Sequence, residues 1–364
     1  MKILQIIPSL NAVGGAEKFV VELSASLQQN DNDIILLSLY SKNNDFFDNF
    51  IEANNLKVLY LNKKRGVDFK TARELIKVIK KINPDVIHGH LNFHLTLMLG
   101  GKFKIKKIPF IETLHQGFSD SSKKIILKKY ISKLYNNKKV IPVAISDEVN
   151  KSAVKYFNIS GEIPTIYNGI KLPYLNSNPP LNGRQNEFIT VSRLDPVKNH
   201  YLMIEAIAQL IKKGYNPKLT IIGNGELFFD LKKLIQEKKL ENNIFLIGEK
   251  KNIFDYLITH KYFLLPSFSE GNPLSLLEAI SCGLVPIVTN VGGPKDIVSK
   301  ENGYLIDPYN VNTLVSAMEN VINDSEKNEI YSKQNFEESK KYNIDNTAKE
   351  YLKLYNNVLM KWPK

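Results

Sequence analysis

Two carboxylates stand eight residues apart in Ser267-Phe-Ser-Glu270-Gly-Asn-Pro-Leu-Ser-Leu-Leu-Glu278-Ala-Ile-Ser-Cys-Gly283. An apolar run, Tyr262-Phe-Leu-Leu265, leads through Pro266 into a loop of small residues, and Pro273 opens a helical pattern. Glu270 therefore falls in the loop and Glu278 inside the helix. The first N–H groups of a helix lack intrahelical partners and its dipole favours anions there, so the turn Gly271-Asn272-Pro273-Leu274 can cradle phosphate. Ionised carboxylates only accept hydrogen bonds, which suits a ligand rich in hydroxyls. A phosphate cradle flanked by two hydroxyl acceptors matches the two ends of a sugar nucleotide. The structural alternative is that Glu270 merely ends a strand and Glu278 is a solvated helix residue.

Other constellations keep this pair company. Val191-Ser-Arg193-Leu-Asp195-Pro-Val-Lys198-Asn199-His200 follows an apolar run. Arg193 offers a planar fork of donors and Lys198 a point charge, both suited to diphosphate oxygens; the alternative is a solvated loop with an N-capping Asn199. Glycine turns recur after strand-like runs at Gly223-Asn-Gly225 and at Gly248-Glu249, where backbone groups can read a base edge, and at Gly14-Gly15. Glycine lets a backbone approach a ligand closely. His115, in Glu112-Thr-Leu-His115-Gln-Gly117, closes a strand-like run and can hydrogen-bond a substrate hydroxyl or take a proton. His88 and His90 close the preceding one. Three histidines invite a zinc reading, but nothing supplies the ligand spacing of such a site, so no metal is expected. Each histidine has a bland alternative as a hydrogen-bonded structural group.

The elements that must position these residues alternate. Strand-like runs are Lys2–Ile7, Ile34–Leu39, Lys57–Leu61, Val86–His88, Phe110–Thr113 and Val140–Ile145, then Phe188–Val191, Lys218–Ile222, Ile244–Ile247, Tyr262–Leu265 and Val285–Thr289. Helical periodicity marks Ala16–Gln29, Thr71–Ile82, His200–Lys213, Phe228–Lys239 and Leu274–Ser281. Such alternation predicts an α/β protein with two Rossmann-like, doubly wound domains. A chain of 364 residues suits two cores. Lys171–Asn186, rich in Pro, Asn and Ser, is the expected linker, giving domains over 1–175 and 176–342. Ligands of open α/β sheets bind beyond the carboxyl ends of the strands, and every motif above lies at such an end.

Charge is uneven. Of the net +12, residues 1–175 carry 26 Lys/Arg against 15 Asp/Glu, whereas the remainder carries 23 against 22. Residues 121–135 form a basic amphipathic pattern in which Lys123, Lys124, Lys128 and Lys129 accompany Ile125, Ile126, Leu127, Ile131 and Leu134. With the basic stretch Lys102-Phe-Lys-Ile-Lys-Lys107, this suggests contact with an anionic membrane surface, each Lys contributing about 1 kcal/mol there. The alternative is a surface helix whose apolar stripe faces its own sheet. No apolar run approaches the roughly 18 to 20 residues of a spanning helix. Met1–Pro8 reads as a strand rather than a signal peptide, so the expected location is cytoplasmic, peripheral to the membrane. Cys282 stands alone in an apolar stretch and reads as a core residue. Nucleic-acid binding has no motif behind the charge.

Assembled, these residues resemble the retaining glycosyltransferases of family 4. The resemblance spans nearly the whole chain and rests on Glu270 and Glu278 with Gly271 and Pro273, Arg193 with Lys198, Gly292-Gly293, Asn168-Gly169-Ile170 and Asn302-Gly303. It implies the GT-B fold, two Rossmann-like domains facing across a cleft, with residues 343–364 crossing back to the N-terminal domain. It further implies that Glu270 holds donor-sugar hydroxyls, Glu278 the ribose, and Arg193, Lys198 and the Gly271–Leu274 backbone the diphosphate. Gly15 would approach that diphosphate from the N-terminal domain, Gly223, Gly248 and Glu249 would line the donor site, and Gly14, His90 and His115 would meet the acceptor. The implied donor is a nucleotide sugar, with a UDP-linked hexose or N-acetylhexosamine favoured, and the acceptor a lipid-linked or other glycan; no cofactor or divalent metal is implied. A sugar-nucleotide epimerase of the same fold and a non-catalytic nucleotide or glycan binder are the competing readings.

Overall fold

The computed structural model of the protein describes residues 1–10, 14–64, 66, 68–91, 108–118, 125–173 and 180–362. Among these the chain divides into two compact units, Met1–Lys171 with Ile344–Lys364, and Leu172–Asn343.

The first unit is built on β1 (Lys2–Ile7), β2 (Asp33–Ser38), β3 (Lys57–Tyr60), β4 (Val86–His90), β5 (Phe110–Leu114) and β6 (Ile141–Ala144), in spatial order β3-β2-β1-β4-β5-β6. Every neighbouring pair is parallel. A parallel sheet is covered on both faces, so its strands read as apolar runs, and β4 and β5 are buried at every residue. The Phe69–Ile82 helix shows how the covering elements are specified. Asp68 accepts from the Thr71 N–H at its start, Asn83 closes it in the left-handed conformation, and Ala72, Leu75, Ile76 and Ile79 face the core.

The second unit repeats the plan with β7 (Gln185–Val191), β8 (Leu219–Ile222), β9 (Ile244–Gly248), β10 (His260–Leu265), β11 (Val285–Thr289) and β12 (Tyr304–Ile306), in order β12-β11-β10-β7-β8-β9 and again parallel. In each sheet the winding direction reverses once: between β1 and β4, and between β7 and β10. Ligands of doubly wound sheets bind at that reversal, outside the strands' carboxyl ends. Elements not marked by the sequence pattern include β12, only three residues long, and the helices Asp147–Phe157, Val311–Asn323 and Ser325–Ser339.

The Ile344–Lys361 helix packs with the first unit, against the Gly15–Gln29 helix. Its Ile344 N–H donates to Ile170 O at 2.9 Å, and Tyr351 and Tyr355 are fully buried. Gly169 permits this docking, because a Cβ there would come within 2.7 Å of Ile344 Cα.

The basic helix spans Ile125–Asn136, with Lys123 and Lys124 outside the described residues. Its apolar stripe is largely spent on its own core: Ile131, Leu134 and Tyr135 are buried. Lys128 sits over the Tyr156 ring at 4.2 Å, while Lys129 and Ile125 face solvent. No helix among the described residues is long and apolar enough to cross a membrane.

Candidate active site

In the second unit the segments following β7 and β10 flank the reversal and bring the expected residues together. Lys198 donates to Glu270 at 2.8 Å, and the two side chains are 17% and 8% exposed. Seventy-two positions apart in sequence, they meet because β7 and β10 are neighbours. Phe268 N–H donates to Val197 O at 2.8 Å, stitching the two loops beside the pair. Arg193 is more exposed, at 68%, and its guanidinium lies 3.3 Å from Asp195. The Leu274–Ser281 helix starts at Pro273, which supplies no side-chain cap. Leu276 N–H turns back to Pro273 O at 3.1 Å, so the N–H groups at the very start of the helix, Leu274 and Ser275, are the ones that can meet an anion. Glu278 lies within this helix and is 3% exposed, so it is not the solvated helix residue of the bland alternative.

Glycine holds this loop in place. A Cβ on Gly292 would strike the Glu270 carbonyl, and one on Gly293 the Gly271 carbonyl. Gly292-Gly293 thus lets the segment after β11 lie directly on the Glu270–Asn272 backbone, with Gly293 N–H donating to Glu270 O at 3.1 Å. Gly223, at φ +144°, lies against the Ser192 carbonyl in the same way. Gly248 closes β9, and Glu249 follows it at the surface.

Asn199 does not cap with its side chain. Its buried amide donates to Pro266 O at 3.1 Å and Pro308 O at 2.8 Å, tying three loops together. Nothing local in the sequence marks that role. The Phe268 and Tyr309 rings, 5.1 Å apart and both exposed, also went unremarked. An aromatic within the small-residue loop of residues 266–273 was the available signal.

In the first unit, Gly14 and Gly15 begin the Gly15–Gln29 helix after β1, and Gly14 has the Glu17 carboxylate against it where a side chain would sit. His88, His90 and His115 converge at the ends of β4 and β5. His88 bonds Tyr355 Oη and Thr113 Oγ1, each at 2.7 Å. His90 bonds His115 Nε2 at 2.9 Å and Gln5 Oε1 at 2.8 Å. His90 is fully buried with both nitrogens committed, one to His115 and one to Gln5. Burial pushes His115 down to about 3, and His88 and His90 well below the ordinary imidazole value, so all three are neutral. His115 as a residue is half-buried, unlike His88 and His90. Among the described residues no group of three or more His, Cys, Asp or Glu is arranged to hold an ion. The single Asp-x-Asp spacing, Asp31-Asn-Asp33, leads into β2 at its amino end, where Asp33 neighbours Lys2 and Lys57.

Known proteins share this two-unit architecture. Residues 13–173 match the family model Glycosyltransferase Family 4, and residues 176–338 match Glycosyl transferases group 1. The chain belongs to this glycosyltransferase family and has its GT-B fold. It is 28% identical over 303 residues to the Escherichia coli UDP-Gal:alpha-D-GlcNAc-diphosphoundecaprenol alpha-1,3-galactosyltransferase, covering 77% of each chain. It is 27% identical over 304 residues to the capsular polysaccharide biosynthesis glycosyltransferase CapH of Staphylococcus aureus, covering 80% of this chain and 82% of that one. The crystal structure of Anabaena HepE with UDP-glucose superposes with a TM-score of 0.81 at 20% identity, over 98% of this chain and 100% of the other.

Proposed function

We propose that the protein transfers a hexose or N-acetylhexosamine, with retention of anomeric configuration, from a UDP-linked donor to a lipid-linked or other glycan acceptor in bacterial surface polysaccharide assembly. The observation that carries this reading is the Lys198–Glu270 pair at the mouth of the Leu274–Ser281 helix. It sets a cation for a diphosphate beside an acceptor for sugar hydroxyls. The relatives support the choice of donor and acceptor, since one is named for UDP-galactose and a diphosphoundecaprenol acceptor and the other for capsule synthesis.

In this reading Lys198, Arg193 and the first-turn N–H groups stabilise charge on the departing diphosphate. Preorganised donors aimed where charge develops are the largest common source of rate enhancement. Glu270 orients the donor sugar and is not the nucleophile; Glu278 takes the ribose hydroxyls. His115, neutral and partly exposed, hydrogen-bonds a sugar hydroxyl, with Gly14 and Gly15 nearby in the same unit. The chemistry needs no divalent metal. The basic first unit, through Lys128, Lys129 and the neighbouring lysines, holds the enzyme at an anionic membrane surface on the cytoplasmic side.

The test is thermal stabilisation by UDP, GDP, ADP and NAD, each with and without magnesium. A ligand at about 100 times its Kd contributes roughly 2.7 kcal/mol, a rise of several degrees for a protein this size. Selective stabilisation by UDP without metal is expected. Stabilisation by NAD, or by none of the four, overturns the reading.

A further inference from the structure

The hydrogen bonds around His90 have a direction. Gln5, His88, His90 and Thr113 stand on one face of the first sheet, because Gln5 is in register with His88 and His90 with Thr113. The Gly15–Gln29 and Ile344–Lys361 helices contribute Phe19, Tyr351 and Tyr355 to this cluster, with Phe19 edge-on to both His90 and His115. Gln5 and His90 are both fully buried. A neutral imidazole has one N–H and one lone pair, and the bond made by one nitrogen decides the state of the other. With the Gln5 amide oriented so that Oε1 faces His90 at 2.8 Å and its own Nε2 is buried without a partner, the oxygen accepts and the His90 proton sits on Nε2. His90 Nδ1 is then an acceptor, and the hydrogen in the 2.9 Å contact belongs to His115 Nε2. The lone pair of His115 is left on Nδ1.

We infer that Gln5 and His90 are positioning residues that lock His115 in its Nε2–H tautomer, so that Nδ1 presents a fixed hydrogen-bond acceptor to a sugar hydroxyl. The inference deepens the transferase reading and rests on it for the identity of that hydroxyl. The chain acts on specificity as well as orientation. A buried or half-buried acceptor with no donor opposite it disfavours a ligand that lacks the hydroxyl, because the acceptor is then left unpaired. Deoxy or methylated analogues at that one position are discriminated against, while changes elsewhere on the ring are not. His88 does not share the role, since its nitrogens are taken by Tyr355 and Thr113.

The tautomer is read directly in the ligand-free protein by long-range proton–nitrogen correlation on histidine-labelled material. The expected result is a protonated Nε2 and an unprotonated Nδ1 at His115. In Gln5→Leu the His115 signals should shift to a mixture of the two tautomers. With the sugar nucleotide found by the thermal-shift panel, kcat should fall by about 10- to 100-fold, the scale known for partners that orient a functional histidine, with KM for the donor little changed. His90→Asn, which places an acceptor oxygen near the former Nδ1, should keep the wild-type tautomer and most of the rate. His90→Phe should keep neither. An Nδ1–H His115 in the wild type, or a tautomer unmoved by Gln5→Leu, overturns the inference, and neither result bears on whether the protein transfers sugar. Lack of transfer with any sugar nucleotide, at the expected tautomer, instead overturns the transferase reading. The wild-type spectrum decides the matter even if a variant fails to fold.

Discussion

At the scale of single residues, the site depends on where positive charge is held. Lys198 is pinned by Glu270 with little exposure, whereas Arg193 is mostly in solvent beside Asp195. An exposed pair of the second kind contributes about 0–1 kcal/mol, so Arg193 can exchange its partner for a phosphate at small cost. Lys198→Ala and Arg193→Ala should each lower turnover by about 10²- to 10³-fold, the usual effect of removing one preorganised contact to developing charge. Initial rates with saturating donor measure this, and wild-type turnover in either variant would remove that residue from the mechanism. Full activity in excess chelator is expected as well; a loss restored by magnesium or manganese would count against metal-free leaving-group stabilisation. Glu270, Glu278 and Lys198 stand out in the sequence because residue type and spacing suggest a chemistry for them, and the structure pairs Lys198 with Glu270 and buries Glu278. Gln5 does not stand out: its partner His90 is 85 positions away, and only the sheet brings them together.

At the scale of elements, the loop that carries Glu270 is held by contacts that admit no side chain. The segment after β11 lies on the backbone of residues 270–272, and a Cβ on Gly293 would meet the Gly271 carbonyl. No flexible side chain can yield there, so Gly293→Ala must move the loop that carries Glu270. Overpacking of this kind typically costs about 1–3 kcal/mol. We expect Gly293→Ala to remain folded with a lower Tm and to bind UDP at least about tenfold more weakly, since 1.4 kcal/mol is tenfold in Kd. Calorimetric titration beside a thermal melt checks both, and unchanged affinity would mean that the loop's position is not what binds the nucleotide. The glycine pair was visible in sequence through its resemblance alone; its physical reason emerged only with the backbone it touches. Long apolar strands such as Lys2–Ile7 and Val285–Thr289 were read with their true bounds. The three-residue β12 gives no periodicity to detect, and the Ser325–Ser339 helix is mostly polar, burying Asn328, Ser332 and Asn335.

At the scale of the whole molecule, the buried histidines tie stability to pH. His115 titrates near 3 in the folded protein against 6.5 for a free imidazole, and burial moves His88, His90 and His200 in the same direction, His200 to about 4. Above pH 6.5 both folded and unfolded forms are neutral and the full stability is present. As pH falls through 6.5 toward 3, the unfolded chain takes up protons that the folded chain refuses, so stability drops across that window. The Tm should therefore decline between pH 7 and 5, before most carboxylates titrate. A flat Tm over that interval would mean that these rings accept protons without unfolding. Charge distribution leads to a second expectation. Binding to vesicles should require anionic lipid and weaken with salt, as the screening length shrinks from about 10 Å at 0.1 M to about 3 Å at 1 M. Salt-independent binding, or none, would count against a membrane role for the Ile125–Asn136 helix, whose apolar stripe already serves its own core.

The docking of Ile344–Lys361 has a consequence for how the protein is made. The ribosome delivers residues 1–171 first, yet Tyr351 and Tyr355, which seal the His88 and Thr113 end of that sheet, are translated only after residues 172–343 have emerged. At about 5–20 residues per second, the interval is on the order of 10 to 35 s. By the end of that interval the second unit has all its own residues and can close, while the earlier-made unit still lacks Tyr351 and Tyr355 over His88 and Thr113. The half that is synthesised first is the half that finishes last, and a nascent chain stalled before Ile344 holds the second unit complete and the histidine-bearing first unit open.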